Sequence, residues 1–554
     1  MSRRLSLLDW LGIAALIALA VPLAGRPLSH DDLFWHLESG AWMAEHGTVP
    51  RTDPFSFTRP GAPWVTHEWG FSLLVYGIWL LGGYPALIAA RVLLVLAIGG
   101  VLARLMARWK EKTDDGPSYL STALLAIGLW TVSRELILRA ALVSELFLAL
   151  TLLLVARYRR NGRPRELILL VGLFWLWANI HSGVIFGLFV LGLFTLEAIA
   201  FRRREARPWL LTLGASALVS LVNPNGIETL LYPWRLSRVL FASGIQWDLG
   251  HFEASSPAAN SGLLILGVLL LAGLLPFRTV PVSLAEILGI ATFAALVFRS
   301  PRFVFHVAIL ALPVIYRLWT DRKPIAPSRW LVPAATAVAA LVAWMGFEGR
   351  LLSPSLPEPA ARFVQEHGIR GRMFNHQNNG GYLLWRLKQP VFWDGRNDVF
   401  ASLVQEYVAT PFPEIADRHG IEWALVTEHE WRGIRPELDG GRWGLVYWDD
   451  FRAVYLRRIP RFEPLLARLE LRMVPAFGGL PGLQEIPKTP PLAAAVRAEL
   501  DRVLAGNPET QRALYFRAVL SLGEGRREDA VRDLRAALAI RPNEQVSRML
   551  AAVE

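Results

Sequence analysis

The chain has no cysteine among its 554 residues, so it forms no disulfide, no thiolate metal site and no cysteine nucleophile, and its redox compartment stays open. Charge is scarce too: 19% of residues are charged against 53% hydrophobic, and the mean hydropathy is +0.34, which excludes a single soluble domain. The chain has no GxGxxG and no P-loop, which disfavours nucleotide binding, and no HExxH that would support a histidine metal site. It also lacks the paired interrupted spans or inverted repeat that build a midplane transport site.

Apolar residues are abundant and unevenly spread. Up to about Met345 they gather in runs long enough to cross a bilayer, and from Gly349 charge returns throughout. The runs predict a polytopic α-helical membrane protein with eleven transmembrane helices, near 7–25, 85–107, 117–133, 140–156, 166–181, 183–201, 208–222, 261–275, 281–298, 302–319 and 329–347. The stretch from Trp69 to Leu81 has 13 residues, about 20 Å of helix against about 30 Å of hydrocarbon, so it is expected to lie in the interface on the outer face. With the N-terminus cytoplasmic, the inside segments hold 19 Lys and Arg and the outside segments nine, which sets the orientation. The inside basic residues are Arg3, Arg4, the clusters at 104–112, 157–165, 202–207 and 317–323, and Arg278. This distribution accounts for the net charge of +11 without a nucleic-acid partner. An odd span count places residues 350–554 outside the cytoplasm, on the far face of the cytoplasmic (inner) membrane. The first span also fits a cleaved signal peptide, whose removal would leave ten spans and the same outer loop.

The outer loop, RPLSHDDLFWHLESGAWMAEHGTVPRTDPFSFTRPGAPWVTHE from Arg26 to Glu68, carries His30, His36, His46 and His67, and the remaining histidines of the membrane half, His181, His251 and His306, also fall at outer ends. A site facing outward follows. Asp31 and Asp32 directly follow the first span, where either could take a proton from an acceptor hydroxyl or bind a divalent cation. The alternative is that they cap the amphipathic helix LFWHLESGAWMAEHG. His36, His67 and Glu68 could join Asp32 around a metal, but their spacing fits packing and hydrogen bonding better. Arg91 lies inside the second span near its outer end, Arg134, Arg139, Arg299 and Arg302 lie at outer boundaries, and Glu145 is buried in the fourth span. The boundary arginines either snorkel to headgroups or, facing the loop carboxylates, hold a substrate with a phosphate in the interface and a hydroxyl in water.

This arrangement resembles the GT-C superfamily of polyprenyl-phosphate-sugar-dependent glycosyltransferases, including the protein mannosyltransferase and aminoarabinose transferase types. The likeness rests on a first span followed by a long outer loop with an early acidic pair (HDDLFWH), an interfacial helix closing the loop (HEWGFSLLVYGIWLLGG) and a span opening with an arginine (YPALIAARVLLVLAIGG). It covers roughly residues 1 to 347 and is architectural beyond the first hundred. The resemblance implies that Asp32 or Asp31 is either the catalytic base or the carboxylate that holds a divalent cation, where one is the cofactor, and that cationic side chains hold the lipid phosphate. The expected substrate-binding set, read from the residues themselves, is Arg91, His36, His67, Glu68, Arg139, Arg299 and Arg302. The family's lysine-proline stretch ahead of the interfacial helix is absent, with Pro63, Trp64, His67 and Glu68 in its place.

Beyond the membrane part (1–348), residues 349–460 alternate helix-like pieces with the β-rich runs RMFNH, PVFWDG, EWALVT, WGLVYWD and AVYLRR and read as a soluble α/β domain. Asn375, His376, Asn378, Asn379 and Gly380 after the first run, and Asp394, Arg396 and Asp398 after the second, would sit at strand ends, as turn and cap chemistry or as an acceptor-binding lid. Residues 461–554 form a helical tail, in which Leu514, Ala518, Gly525, Ala530, Leu534, Ala537 and Pro542 fit one tetratricopeptide-like repeat near 509–542. A single repeat cannot bury its own face, so it packs on the preceding domain or on a protein partner. The expected function is glycosyl transfer from a polyprenyl-phosphate donor to an envelope acceptor. The alternative is a non-catalytic envelope scaffold that docks partners through its C-terminal domains.

Overall fold

Each of the eleven apolar runs contains a helix in the computed structural model, which describes residues 7–110, 118–242, 257–274, 282–320, 330–347 and 349–554. Arg3, Arg4, Lys112, His251, Arg278, Arg322 and Lys323 lie outside them. The chain forms two units. The first comprises Met1–Arg51 and Trp64–Ser353; the second joins Thr52–Pro63, from the middle of the outer loop, to Pro354–Glu554.

The described helices of the first unit are α1 (Leu7–Ala24), α2 (Asp32–His46), α3 (Trp69–Lys110), α4 (Ser118–Thr131), α5 (Ala140–Asn161), α6 (Pro164–Ile180), α7 (Val184–Phe201), α8 (Ala206–Val219), α9 (Glu228–Ala242), α10 (Pro257–Leu274), α11 (Leu284–Val297), α12 (Val304–Thr320) and α13 (Leu331–Met345). Among the described residues, four stretches, Trp69–Ala107, Ala140–Asn161, Val184–Phe201 and Pro301–Thr320, are long and apolar enough to cross a membrane, and five shorter apolar helices accompany them. Large apolar side chains remain outside the unit's own core, Phe298 at 86% exposure among them, as expected of a surface that faces lipid. This is a helical membrane protein.

Helix α3 is broken where LLGGYP falls. Gly82 and Gly83 leave helical geometry, and Gly83 takes φ 62° with ψ −147°, a conformation closed to residues with a Cβ. Pro85 then restarts the helix, since its missing N–H costs nothing in a first turn. The break separates the piece expected in the interface from the expected second span. At the far end of the unit, α1 packs on α13. The strands of chain that follow them pair in parallel, Leu28 N–H donating to the Leu351 carbonyl and Ser353 N–H to the Leu28 carbonyl, each at 2.9 Å. The chain therefore leaves α13 on the face where it left α1.

The second unit contains a four-stranded sheet of order β1-β2-β4-β3, with β1 (Met373–Asn375) parallel to β2 (Trp423–Thr427), and β4 (Arg452–Arg457) antiparallel to both β2 and β3 (Trp443–Trp448). Strand β2 is buried from Trp423 to Val426, the pattern of a strand covered on both faces, with Glu358–Glu366 and Glu428–Leu438 among the helices on the sheet. Asp449 closes the β3–β4 hairpin by accepting from the N–H groups of Phe451 and Arg452. One expectation fails. PVFWDG is not a strand of this sheet but an extended segment that makes one parallel bridge, Val391 to Ser56. Asp394, Arg396 and Asp398 therefore do not sit at a strand end. An alternating apolar run reads the same whether its backbone pairs with a sheet or with a lone distant segment. In the tail, Gln511–Gly523 and Arg527–Ile540 pack as a helix pair, and Ala518, Ala530, Leu534 and Ala537 are fully buried.

Candidate functional site

The outer loop returns to the helices through close backbone contact. A Cβ on Gly70 would stand 2.3 Å from the Asn179 carbonyl oxygen, so only glycine lets the start of α3 approach the end of α6. Glu68, two residues earlier, thereby reaches His181.

Asp32 opens α2, but an imidazole supplies the cap: His30 Nδ1 accepts from the Asp32 N–H at 3.2 Å, while Asp31, at the N-cap position, makes no capping bond with its side chain. The Asp32 carboxylate turns instead to Arg139, with Oδ2 2.7 Å from Nη2, and Oδ1 accepts from Trp35 Nε1 at 3.3 Å. Burial works to raise the Asp32 pKa, yet His30 and Arg139 outweigh it and hold the carboxyl below its ordinary value.

Glu68 gathers three imidazoles. His36 Nε2 lies 3.4 Å and His67 Nε2 3.7 Å from Oε2, and His181 Nε2 lies 3.4 Å from Oε1. The tautomer of His181 follows from its neighbours. Ser144 Oγ accepts from Trp177 Nε1 at 2.7 Å, leaving its hydroxyl proton for His181 Nδ1, also at 2.7 Å, so the ring carries its proton on Nε2, toward Glu68. His36 is held by Ser72 Oγ at 2.8 Å and His67 by stacking on Tyr232 at 3.6 Å. Burial pushes the Glu68 carboxyl up, but the imidazoles, His67 foremost, bring it well below the usual carboxylate range.

Beside these groups lies a cavity of about 280 Å³, whose polar lining includes Glu68, Arg139, Glu145, His181, Arg302 and His306, and whose apolar lining includes Phe186, Phe303 and Phe305. Phe305 also lines a second, almost wholly apolar cavity of about 270 Å³ between α1, α3, α4 and α12, with Leu16, Val95, Leu125 and Leu312.

Of the residues expected from sequence, Glu68, Arg139 and Arg302 line the polar cavity. Asp32 reaches it through Arg139, and His36 and His67 stand behind Glu68. Asp31 is buried at the head of α2, and neither it nor Arg299 is a lining residue. Arg91 is buried on α3 and donates to the Arg26 carbonyl, tying the start of the outer loop to that helix rather than facing the cavity. The expected set omitted Ser144, Ser72 and Trp177. The i,i+4 spacing of Trp177 and His181 was the one sequence signal for this pair, and it went unread.

A divalent cation does not fit these residues as they stand. Both Asp32 oxygens are engaged by Arg139 and Trp35, Glu68 is engaged by imidazoles, and among the described residues no three His, Asp or Glu side chains converge as ligands.

The second unit holds a cluster of another kind. Arg396 Nη1 lies 2.7 Å from Asp53 Oδ1 and Nη2 lies 2.7 Å from Asp394 Oδ2, with all three side chains at most 1% exposed. Asp53 also accepts from the N–H groups of Phe55 and Ser56 and from the Ser56 hydroxyl. Nearby in sequence, His376 caps the helix Gln377–Leu387. Its Nδ1 accepts from Asn378 N–H at 3.1 Å and its Nε2 lies 3.2 Å from Glu430, and burial, with Arg452 and His429, lowers its pKa to about 4.

No protein-family model and no curated protein matches this sequence. Among solved structures, the chain is similar to ArnT from Cupriavidus metallidurans bound to undecaprenyl phosphate, at 17% identity over 81% of this chain and 98% of that one, with a TM-score of 0.50. It is likewise similar to the Archaeoglobus fulgidus oligosaccharyltransferase in complex with Zn and sulfate, at 13% identity over 80% of this chain and 72% of that one, also with a TM-score of 0.50. At these identities the likeness is one of fold.

Proposed function

We propose that the protein is an integral membrane glycosyltransferase that moves a sugar from a polyprenyl-phosphate donor to an envelope acceptor at the outer face of the cytoplasmic membrane. The observation that carries this reading is an amphiphilic pair of cavities: an arginine-bearing polar one and an apolar one that share Phe305. A lipid phosphate has that same polarity, with a charged head beside an alkyl chain. The GT-C-like fold supports the reading, since one solved neighbour is bound to undecaprenyl phosphate.

In the proposed reaction the acceptor hydroxyl oxygen attacks the anomeric carbon from the side opposite the phosphate. The bond from that carbon to the phosphate oxygen breaks, and the phosphate keeps the electron pair. Arg139 and Arg302, with Arg299 nearby in sequence, neutralise the charge that develops there. The hydroxyl proton passes to Asp32. A carboxylate held below its ordinary pKa is a weak base, so its part is to orient the hydroxyl and take the proton late, once bond formation has acidified the oxygen. Glu68 and its imidazoles position the loop, and Arg91 does so from behind through the Arg26 carbonyl. In the proposed topology, eleven spans cross with the N-terminus cytoplasmic, and the C-terminal domain follows α13 outward. The tetratricopeptide-like helix pair is the surface proposed for a protein partner.

Undecaprenyl phosphate added to the full-length protein in detergent is expected to raise its melting temperature, as any ligand that binds the folded state does. Arg302→Ala should lose most of that rise. An unchanged melting temperature in the wild type would contradict the reading; where it rises, a screen of polyprenyl-linked sugars identifies the donor.

A further inference from the structure

Glu145 is not used by the reaction described above. It sits on α5, is 4% exposed and lines the polar cavity. His306 Nδ1 lies 3.0 Å from its Oε1, but Oε2 has no hydrogen-bond partner among the described residues. Of the other two carboxylates that line the cavity, Glu68 is satisfied by imidazoles and Glu135 also has a partner. A carboxylate oxygen without a donor in so buried a position is costly, and such atoms persist where a ligand supplies the missing donor. An ionised carboxylate only accepts, so the ligand must bring O–H or N–H groups.

The surroundings narrow the class further. His306 is boxed by Phe186, Phe293 and Phe303, with ring centroids 5.4, 4.8 and 5.3 Å away, and Phe186 and Phe303 also line the cavity. An acceptor carboxylate beside aromatic rings matches a sugar, which presents hydroxyls on its edge and C–H groups on its face. Arg139 and Arg302 line the same cavity and give that part of its wall the positive charge that suits the phosphate.

We propose that Glu145, with Phe186 and Phe303, forms the sugar-recognition subsite of this cavity, accepting hydrogen bonds from the hydroxyls of an uncharged or amino sugar and rejecting a uronate. The proposal rests on the lipid-phosphate reading of the cavity and deepens it. A uronate carboxylate would face the Glu145 carboxylate in a buried site, where two like charges cannot both remain ionised without penalty.

The test measures binding of three probes to the full-length protein in detergent: undecaprenyl phosphate, its glucosyl derivative and its glucuronosyl derivative. Wild type is expected to bind the glucuronosyl lipid at least about tenfold more weakly than the glucosyl lipid. In Glu145→Gln that discrimination should shrink toward unity while binding of undecaprenyl phosphate itself is retained, which also reports that the variant is folded. Equal wild-type affinity for the two sugar lipids, with undecaprenyl phosphate bound, overturns the subsite alone and needs no variant. Discrimination that survives in folded Glu145→Gln overturns it as well. If wild type binds none of the three, the lipid-phosphate reading falls and the subsite with it. Should Glu145→Gln fail to bind undecaprenyl phosphate, Phe303→Ala serves as the second variant, and it is expected to weaken the glucosyl lipid but not the bare one; equal loss of both would overturn the proposal.

Discussion

Asp32 and Asp53 belong to one loop, yet they are used in opposite ways. Asp53 is saturated: Arg396, two backbone N–H groups and a serine hydroxyl occupy its oxygens in a site sealed from solvent. Asp32 shares Arg139 with a cavity and keeps a partly exposed carboxylate. On the proposed reading, the contrast separates a carboxylate that holds a fold from one placed to act. The difference lies in whether its partners also face open space, since both are charged, partly or wholly buried and paired with arginine. It also shows why an aspartate in a candidate catalytic loop carries no function by residue type alone.

The comparison predicts a hierarchy of effects. Arg396→Met should be the most damaging change, leaving Asp53 and Asp394 as buried carboxylates without a cation. Removing one partner of such a network costs about 3–5 kcal/mol, to be read from denaturant or thermal unfolding of the full-length protein. Asp32→Asn should leave the fold intact and lower transfer by about a hundredfold or more, the usual scale for a group that handles the proton.

Next comes acid. His376 has its folded pKa lowered to about 4 from an ordinary 6.5, so between those values the unfolded chain binds a proton that the fold refuses. Its local stability is therefore full above about 6.5 and declines as pH falls toward 4. Asp32 and Glu68 are shifted down as carboxylates, so their contribution, present above the ordinary carboxylate range, is lost only at pH below that range. Hydrogen exchange at pH 7 and pH 5 should show protection falling in the helix Gln377–Leu387 and holding in α2. His376→Asn, which keeps an N-cap side chain, should flatten the first response. The smallest effect belongs to Arg548→Ala. Its pair with Glu544 is exposed on the last helix, and its loss should not register in a melting curve.

Much of this was legible in the sequence, because bilayer length and loop charge are local signals. The helices, the break at Gly82–Gly83, the acidic pair and the histidine-rich outer loop could all be read directly. The capping role of His30 was not, since aspartate is the stronger capping type and composition cannot say which neighbour turns away. Nor was the use of residues 52–63 by the second unit. Asp53 and Arg396 are 343 positions apart, and nothing in either stretch marks the other as its partner. PVFWDG misled for the same reason, because alternation reports one buried face and not the segment that covers it. Glu145 and His306 were visible as polar residues at the outer ends of spans, but only three-dimensional packing brings them to the wall of one cavity.

On the proposed reading Asp32 acts and Asp53 holds. Asp32→Asn and Asp53→Asn should be compared side by side for melting temperature and for transfer from the polyprenyl-phosphate sugar that the wild type accepts, normalised to folded protein. The account predicts that Asp32→Asn melts close to wild type and transfers poorly, while Asp53→Asn melts markedly lower and its folded fraction transfers normally. The reverse pattern, an active Asp32→Asn or a fully stable Asp53→Asn that has lost transfer, would contradict it.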